Sequence, residues 1–351
     1  MCTQPYVQRD CYPHEPDHNA CVNLLTLRAA GAPCGVFVSN SPLPLPRVLS
    51  YVLARLAQSV LVLFLVSMVA FALVLLSGDP VAIMLPIHAT EQDRQTLRHE
   101  LGLDQPVAAQ YLSFVGHLAQ GDLGRSIKFN QPVLPLVVGK LPLTMALVVA
   151  AISLAILIGI PLGILSGARA NGPLDVLASV LALLTISFPP FWVGLMLILI
   201  VADYLRLLPT SGTGDLKHLI LPAVTLSLHS TGLITRLTRA SVLDEVRQPY
   251  VTTARAKGLG PGAIQWHHVL RNALIPTVTV VALQFGALIG GSVIVETVFA
   301  WPGAGWLLMQ GVFARDVPVV RAMVLVIGAV FILLNLFVDL SYRYLDPRIR
   351  M

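Results

Sequence analysis

Six stretches of mostly apolar residues, at 48–76, 141–166, 174–205, 219–237, 274–299 and 319–340, decide most of what this chain can become. A helix needs roughly 20 apolar residues to cross a hydrocarbon core about 30 Å thick, and each stretch is close to that length or beyond it. They predict an all-α membrane protein with six transmembrane helices. Only 12% of the side chains are charged, 56% are hydrophobic and the mean hydropathy is +0.77, which no soluble domain of 351 residues matches. The net charge of +5 sits in the connections between the stretches. No basic patch with interleaved aromatics occurs, so this surplus reads as orientation in a lipid membrane and not as nucleic-acid binding.

Orientation follows from where the cations fall. Arg169, then Arg236, Arg239, Arg247, Arg255, Lys257 and Arg271, then Arg343, Arg348 and Arg350 lie on one side of the spans. The short loops of the other side carry Arg206, Lys217 and Arg315. By the positive-inside rule the first side is cytoplasmic, with both termini inside. Residues 78–140 are then extracytoplasmic, and their acids and bases roughly balance. Within them 91–101 reads as a helix with Thr90 as a candidate N-cap, 101–106 as a turn, and 107–118 as a second helix.

Residues 1–47 have no helical period and read as a flexible tail ahead of a transmembrane domain at 48–351. Pro42, Pro44 and Pro46 stiffen the junction. All four cysteines, Cys2, Cys11, Cys21 and Cys34, lie in this tail. A metal site shared with His14 and His18 is the alternative. The eight, nine and twelve residues between successive cysteines match no compact zinc pattern.

The longest polar interruption of the second half is 245–276, EVRQPYVTTARAKGLGPGAIQWHHVLRNALIP. Pro249 suits the first turn of a helix, 250–257 can run about two turns, and Gly258 fits the left-handed position past its end. Residues 259–262 form a turn, 263–271 a second short helix, and Pro276 opens the next span. Ala254, Ala256 and Gly258 are small enough for a partner's surface to approach. Arg255, Lys257 and Arg271 hold the loop on the cytoplasmic side.

Inside the spans, Gly159, Pro161, Gly163 and Gly167 thin the second one for close helix contact. Asp175 opens the third and is a candidate cap. The run Ser187-Phe188-Pro189-Pro190-Phe191-Trp192 breaks the third span, and its freed carbonyls predict that this face points into the bundle. Gln284, Gly286, Gly290, Gly291, Ser292 and Glu296 make a small, polar stripe on the fifth span. Ser187, Gln284, Gly290, Ser292 and Glu296 are the candidates to line a pathway. His229 stands alone and reads as a helix-packing or interfacial residue. Asn335 and Asp339 polarise the sixth span.

Several phrases resemble one family. Tyr250-Val251, Thr253-Ala254-Arg255-Ala256-Lys257-Gly258-Leu259 and Arg271-Asn272-Ala273-Leu274-Ile275-Pro276 resemble the cytoplasmic loop of ABC-importer permeases of the dipeptide/oligopeptide/nickel group. Leu103-Asp104-Gln105-Pro106, Gln110-Tyr111, Gly121-Asp122-Leu123-Gly124-Arg125-Ser126 and Glu296-Thr297-Val298-Phe299-Ala300-Trp301-Pro302-Gly303-Ala304-Gly305 match the same group. The signature glutamate of the general loop motif is missing, with Thr252 or Thr253 nearby, and the spacing from Gly258 to Pro276 is longer than in sugar importers. Both departures fit the peptide subgroup.

The resemblance covers 48–351 and implies the type I ABC-importer permease fold. It makes 241–273 a coupling loop whose Tyr250, Thr253, Ala254, Arg255, Ala256, Lys257, Gly258 and Leu259 meet an ATPase. It implies that the outer segment, through Asp104, Gln105, Asp122, Arg125 and Trp301, helps receive an extracytoplasmic substrate-binding protein. The implied partners are a second homologous permease, two ATP-binding subunits, the binding protein and a peptide substrate. ATP and Mg then belong to the partner subunits, with no cofactor in this chain and no chemistry of its own.

The absences agree with that expectation. No Gly-x-x-x-x-Gly-Lys-Ser/Thr loop, no completed zinc-protease motif after His99-Glu100 and no Gly-x-Ser-x-Gly occurs. Two alternatives stand beside the peptide importer. One is the same machine for nickel or another small solute. The other is an ATP-independent secondary transporter or channel, which predicts ionisable groups at mid-membrane and inverted repeats.

Overall fold

A computed structural model describes residues 45–76, 90–100 and 104–345. The tail at 1–44, with its cysteines, lies outside them. So do 77–89, 101–103, the last residues with Arg348 and Arg350, and the side chains of Asp339 and Arg343. The compact unit is Ser50–Met351; of Met1–Leu49 only the first turn of one helix is described. Among the described residues the structure is helical, with one isolated bridge between Arg125 and Pro132.

The helices are α1 (Leu45–Leu76), α2 (Glu91–Glu100), α3 (Val107–Ala119), α4 (Val133–Ala168), α5 (Pro173–Ser187) and α6 (Pro190–Leu197). A wide π-helical turn, Ile198–Tyr204, continues α6. Then come α7 (Leu216–Val246), α8 (Pro249–Ala256), α9 (Pro261–Ile264), α10 (Leu270–Val298), α11 (Ala304–Phe313) and α12 (Val317–Leu345). Five spans are long and apolar enough to cross a membrane: Leu53–Ala72, Val133–Ala168, Leu216–Val246, Pro261–Val298 and Val317–Phe337. The pair α5–α6, bent by 103°, makes a sixth when counted as one broken span.

The bend follows from Pro189-Pro190. Neither residue has an amide proton to continue the ladder of α5, and Phe188 turns extended at φ −85°, ψ 133°. Its side chains do not turn inward as the sequence suggested. Phe188, Phe191 and Trp192 are all exposed on this chain, and the Phe188 and Trp192 rings stack with centroids 4.8 Å apart. Beyond the break α6 starts at once, with Pro189 O accepting from the amides of Trp192 and Val193.

The centre of the bundle is α4 laid parallel against α7. A Cβ on Gly159 would meet Thr231 O at 3.1 Å, one on Gly163 would meet Thr235 O at 2.7 Å, and one on Gly167 would meet Val242 Cβ at 2.8 Å. Small residues every fourth position bring the two backbones together, as dispersion-driven association in lipid favours. Around this pair the buried core runs through Leu147, Ala151, Ile234, Leu288 and Phe299. A second cluster joins Phe114 of α3, Val133 and Val137 of α4, Leu307 of α11 and Met323 of α12.

Three boundaries differ from expectation. Helix α4 starts at Val133, eight residues before the apolar window, and carries Pro142 inside it. Pro276 lies inside α10 and does not open it, because α9, a wide turn over Gln265–Val269 and α10 run on as one span. The loop after Phe299 holds α11, too short at 10 residues to cross but apolar enough to pack into the second cluster.

Candidate functional site

The polar loop leaves α7 at Arg247 and re-forms as α8 with Pro249 at its first turn, where the missing N–H costs nothing. The helix ends as the sequence required. Gly258 sits at φ +80°, its N–H bonds Arg255 O at 2.9 Å, and Leu259 N–H bonds Ala254 O at 3.3 Å. That left-handed position suits a residue without a Cβ.

One face of α8 is fastened to the chain's own core. Val251 and Ala254 are buried against Val242 of α7, Ile264 of α9, Val269, and Leu270 and Ala273 of α10. Full burial of a valine contributes about 1.5–3 kcal/mol. The Tyr250 hydroxyl donates to the Glu245 carboxylate and accepts from Asn272 Nδ2 at 3.3 Å. Desolvation and the Glu245 carboxylate push the phenol's pKa up, so it stays neutral.

The opposite face is open: Thr253, Arg255, Ala256, Lys257, Gly258 and Leu259 are exposed. Ala254 was expected on this face. It lies on the other because α8 needs a flat inner side to seat on α7 and α10. Trp266, 69% exposed in the wide turn, and the neighbouring His267 and His268 were not singled out by the sequence reading. A bulky aromatic in a polar connection was the signal available.

A buried ion pair lies at the same end of the bundle, where α4 and α7 finish. Arg239 of α7 grips Asp175 of α5 with two bonds, Nε to Oδ1 at 2.5 Å and Nη2 to Oδ2 at 2.8 Å. Ser166 Oγ of α4 donates to Oδ1 at 2.5 Å, and the Asn171 amide to Oδ2 at 2.8 Å. Asp175 thus joins three helices and a turn, well beyond the single cap expected of it. Arg239 had been counted only as one cation among several.

The pathway candidates do not form one continuous surface. Ser187 is exposed, with its hydroxyl on Leu183 O at 2.8 Å. Gly290 is exposed, and Gln284 is half-buried, donating to Ser230 Oγ at 3.0 Å. Ser292 and Glu296 are buried inside this chain. Glu296 accepts from Thr144 Oγ1 at 2.7 Å and from the Trp306 amide at 3.0 Å, so it clamps α11 to α4 and α10.

At this second end Asp104, Gln105, Asp122 and Arg125 are exposed. Asp104 pairs with His99 at 2.7 Å, Asp122 Oδ1 accepts the Gly124 amide at 2.8 Å, and Arg125 Nη2 donates to Asn130 O at 3.2 Å. Trp301, expected among them, is buried, and its indole N–H donates to Leu143 O at 3.1 Å. An unforeseen hub is Asp316, which takes Ser126 Oγ at 2.5 Å and the Lys128 amide at 3.0 Å and so ties the 121–132 loop to the start of α12.

Known proteins match this arrangement over most of its length. The family profile described as "Binding-protein-dependent transport system inner membrane component" matches residues 159–351, and the profile of its N-terminal region matches 48–148. The dipeptide transport system permease protein DppB of Alkalihalophilus pseudofirmus is 38% identical over 331 residues, covering 86% of this chain and 99% of that protein. The glutathione transport system permease protein GsiC of Escherichia coli K12 is 39% identical over 303 residues, with the same coverage of 86% and 99%. Among solved structures, an inward-facing MetNI methionine ABC transporter aligns with a TM-score of 0.51 and 21% identity over 60% of this chain and 96% of that one. An amino acid ABC transporter solved with histidines gives a TM-score of 0.51 at 15% identity over 60% and 94%. At such identities these two speak for the fold alone.

Proposed function

The chain belongs to the family of binding-protein-dependent transport system inner membrane components, and from that membership we propose that it forms, with a second related permease, the translocation pathway of an ATP-driven importer for di- and oligopeptides. The cargo class rests on the dipeptide and glutathione permeases. Glutathione is itself a short peptide, so the two relatives name one chemistry. The chain is a multi-pass protein of the inner membrane. In this reading both termini and α8 are cytoplasmic, and α2–α3 face outward, where Asp104, Gln105, Asp122 and Arg125 help receive a loaded binding protein. Two partner subunits bind ATP and Mg and hydrolyse the nucleotide. This chain binds no cofactor and makes or breaks no bond.

One observation carries the mechanism: a two-turn helix whose inner face is locked into α7 and α10 while its outer face shows Thr253, Arg255, Ala256, Lys257 and Leu259. A partner groove that seats this face moves α7 and α10 together when it moves. Closure of the ATPase dimer then reaches the pathway as a displacement of helices.

The test is Arg255→Glu with Lys257→Glu in the co-expressed complex. We expect normal membrane levels, weakened ATPase attachment and lost trialanine uptake. Wild-type uptake and attachment, or peptide uptake by this chain purified alone, would overturn the proposal.

A further inference from the structure

Helix α7 is the most enclosed of the candidate spans, with 61% of its most apolar window buried. From its middle to its far end the exposed residues, the last of them the acidic Asp244, fall on one line. His229, Arg236 and Ala240 are exposed and Leu233 is half-buried. Steps of four, three and four residues keep them on a single face, and two turns, about 10.5 Å, separate His229 from Arg236. His229 sits near the midpoint of this 31-residue helix.

Three other ionisable groups of the bundle have partners, while the buried Nδ1 of His218, near the start of α7, has none among the described residues. Asp175 holds Arg239, Glu296 holds Thr144 and the Trp306 amide, and Arg321 lies over the Phe114 ring at 4.4 Å. Neither His229 nor Arg236 bonds to another described residue of this chain. Next to His229, Ser230 accepts the bond from Gln284, so α10 also presents an amide at this depth. A cation or imidazole at mid-span turned toward acyl chains is costly, and such groups face a bundle interior or a water-filled cavity.

We infer that the His229–Arg236 face of α7 lines the translocation pathway and receives the carboxylate of the passing cargo. A peptide that enters the bilayer must give up water around its C-terminal carboxylate. An imidazole N–H at mid-membrane and a guanidinium fork two turns further along replace that hydration in sequence. The inference rests on the importer reading and adds the chemical group recognised within the membrane.

The test uses the assembled complex in proteoliposomes, with Cys2, Cys11, Cys21 and Cys34 changed to serine. His229→Cys and, for comparison, Leu157→Cys on the exposed apolar side of α4 are treated from both faces with charged, impermeant thiosulfonates. We expect position 229 to react at least about tenfold faster than 157. The anionic reagent should react faster than the cationic one, and Arg236→Gln should abolish that preference. Trialanine uptake is measured in parallel. His229→Leu should raise KM about tenfold, as loss of a charge-assisted hydrogen bond does, and His229→Gln, which keeps an N–H donor, should recover most of it.

Equal labelling at 229 and 157 would overturn the pathway assignment. Fast labelling with unchanged KM in His229→Leu would overturn the carboxylate role. Absence of trialanine uptake by the unmutated complex would sink the peptide-importer reading instead, and the labelling rates would still decide where the face points.

Discussion

Breaking the Asp175–Arg239 pair is the sharpest available test of how the helix ends are held. Arg239→Met keeps the length and apolar stem of the side chain and removes both bonds to the carboxylate, at 2.5 and 2.8 Å. Asp175, 3% exposed, then keeps only Ser166 Oγ and the Asn171 amide as direct donors, with Ser179 Oγ at 3.5 Å. Stranding one charge of a buried pair costs about 3–5 kcal/mol. Asp175 lies close to the helix ends, and Arg239 keeps 31% of its side chain exposed, so water tempers the loss and the low end, about 3 kcal/mol, applies. Removing both charges in Asp175→Asn with Arg239→Met leaves an amide that still meets Ser166. The double variant should lose less than the sum of the single variants by about 2 kcal/mol. The assay is reversible unfolding of the purified protein in mixed micelles with increasing anionic detergent, read by helicity for all four corners of the cycle. Additive losses would refute the reasoning and reduce the pair to two independent surface groups.

Three further outcomes follow from the same geometry. Gly163→Leu places atoms where even a Cβ would lie 2.6 Å from Thr238 Cβ and 2.7 Å from Thr235 O, and overpacking of this kind costs roughly 1–3 kcal/mol; the same unfolding assay should show it, while Gly139→Leu, with open space around it, should be near neutral. Gly258→Val forces a β-branched residue to φ +80°, at about 1–2 kcal/mol of local strain; insertion should be normal while ATPase attachment weakens, as read by co-purification. Because burial raises the Tyr250 pKa, whatever its hydroxyl contributes to seating α8 is fully present below the ordinary tyrosine pKa of about 10 and is lost only as pH rises through the higher folded value. Tryptic cleavage at Arg255 and Lys257 should therefore be constant between about pH 6 and pH 9, and Tyr250→Phe should remove any later pH dependence.

The long periodic elements were legible in the sequence because length and apolarity alone specify them. The glycines of the second span fell where α4 meets α7, and Gly258 took its left-handed place, since a missing Cβ leaves few other uses. Facing was harder to read. Ala254 and Trp301 turned inward because a short helix and a loop must each anchor somewhere, and the anchor is set by neighbours distant in sequence. Pro276 was read as a boundary, yet helices in a bundle tolerate proline where other groups take up the freed carbonyls. The Asp175–Arg239 and Ser126–Asp316 ties join residues 64 and 190 positions apart, and nothing local marks them.

The glycine ladder between α4 and α7 has a mechanical consequence. Where backbone meets side chain and carbonyl at about van der Waals distance, no long side chain is left to change rotamer and absorb a displacement. The two helices therefore behave as one stiff beam. The clamp on α8 grips that beam through Val242 and grips α10 through Leu270 and Ala273, so a push delivered there is not dissipated near its source. Compliance is left to the 103° elbow at Pro189-Pro190, whose aromatic side chains are exposed on this chain. In this chain rigidity is supplied by its smallest side chains, and the three aromatics of the elbow stand where the structure can give.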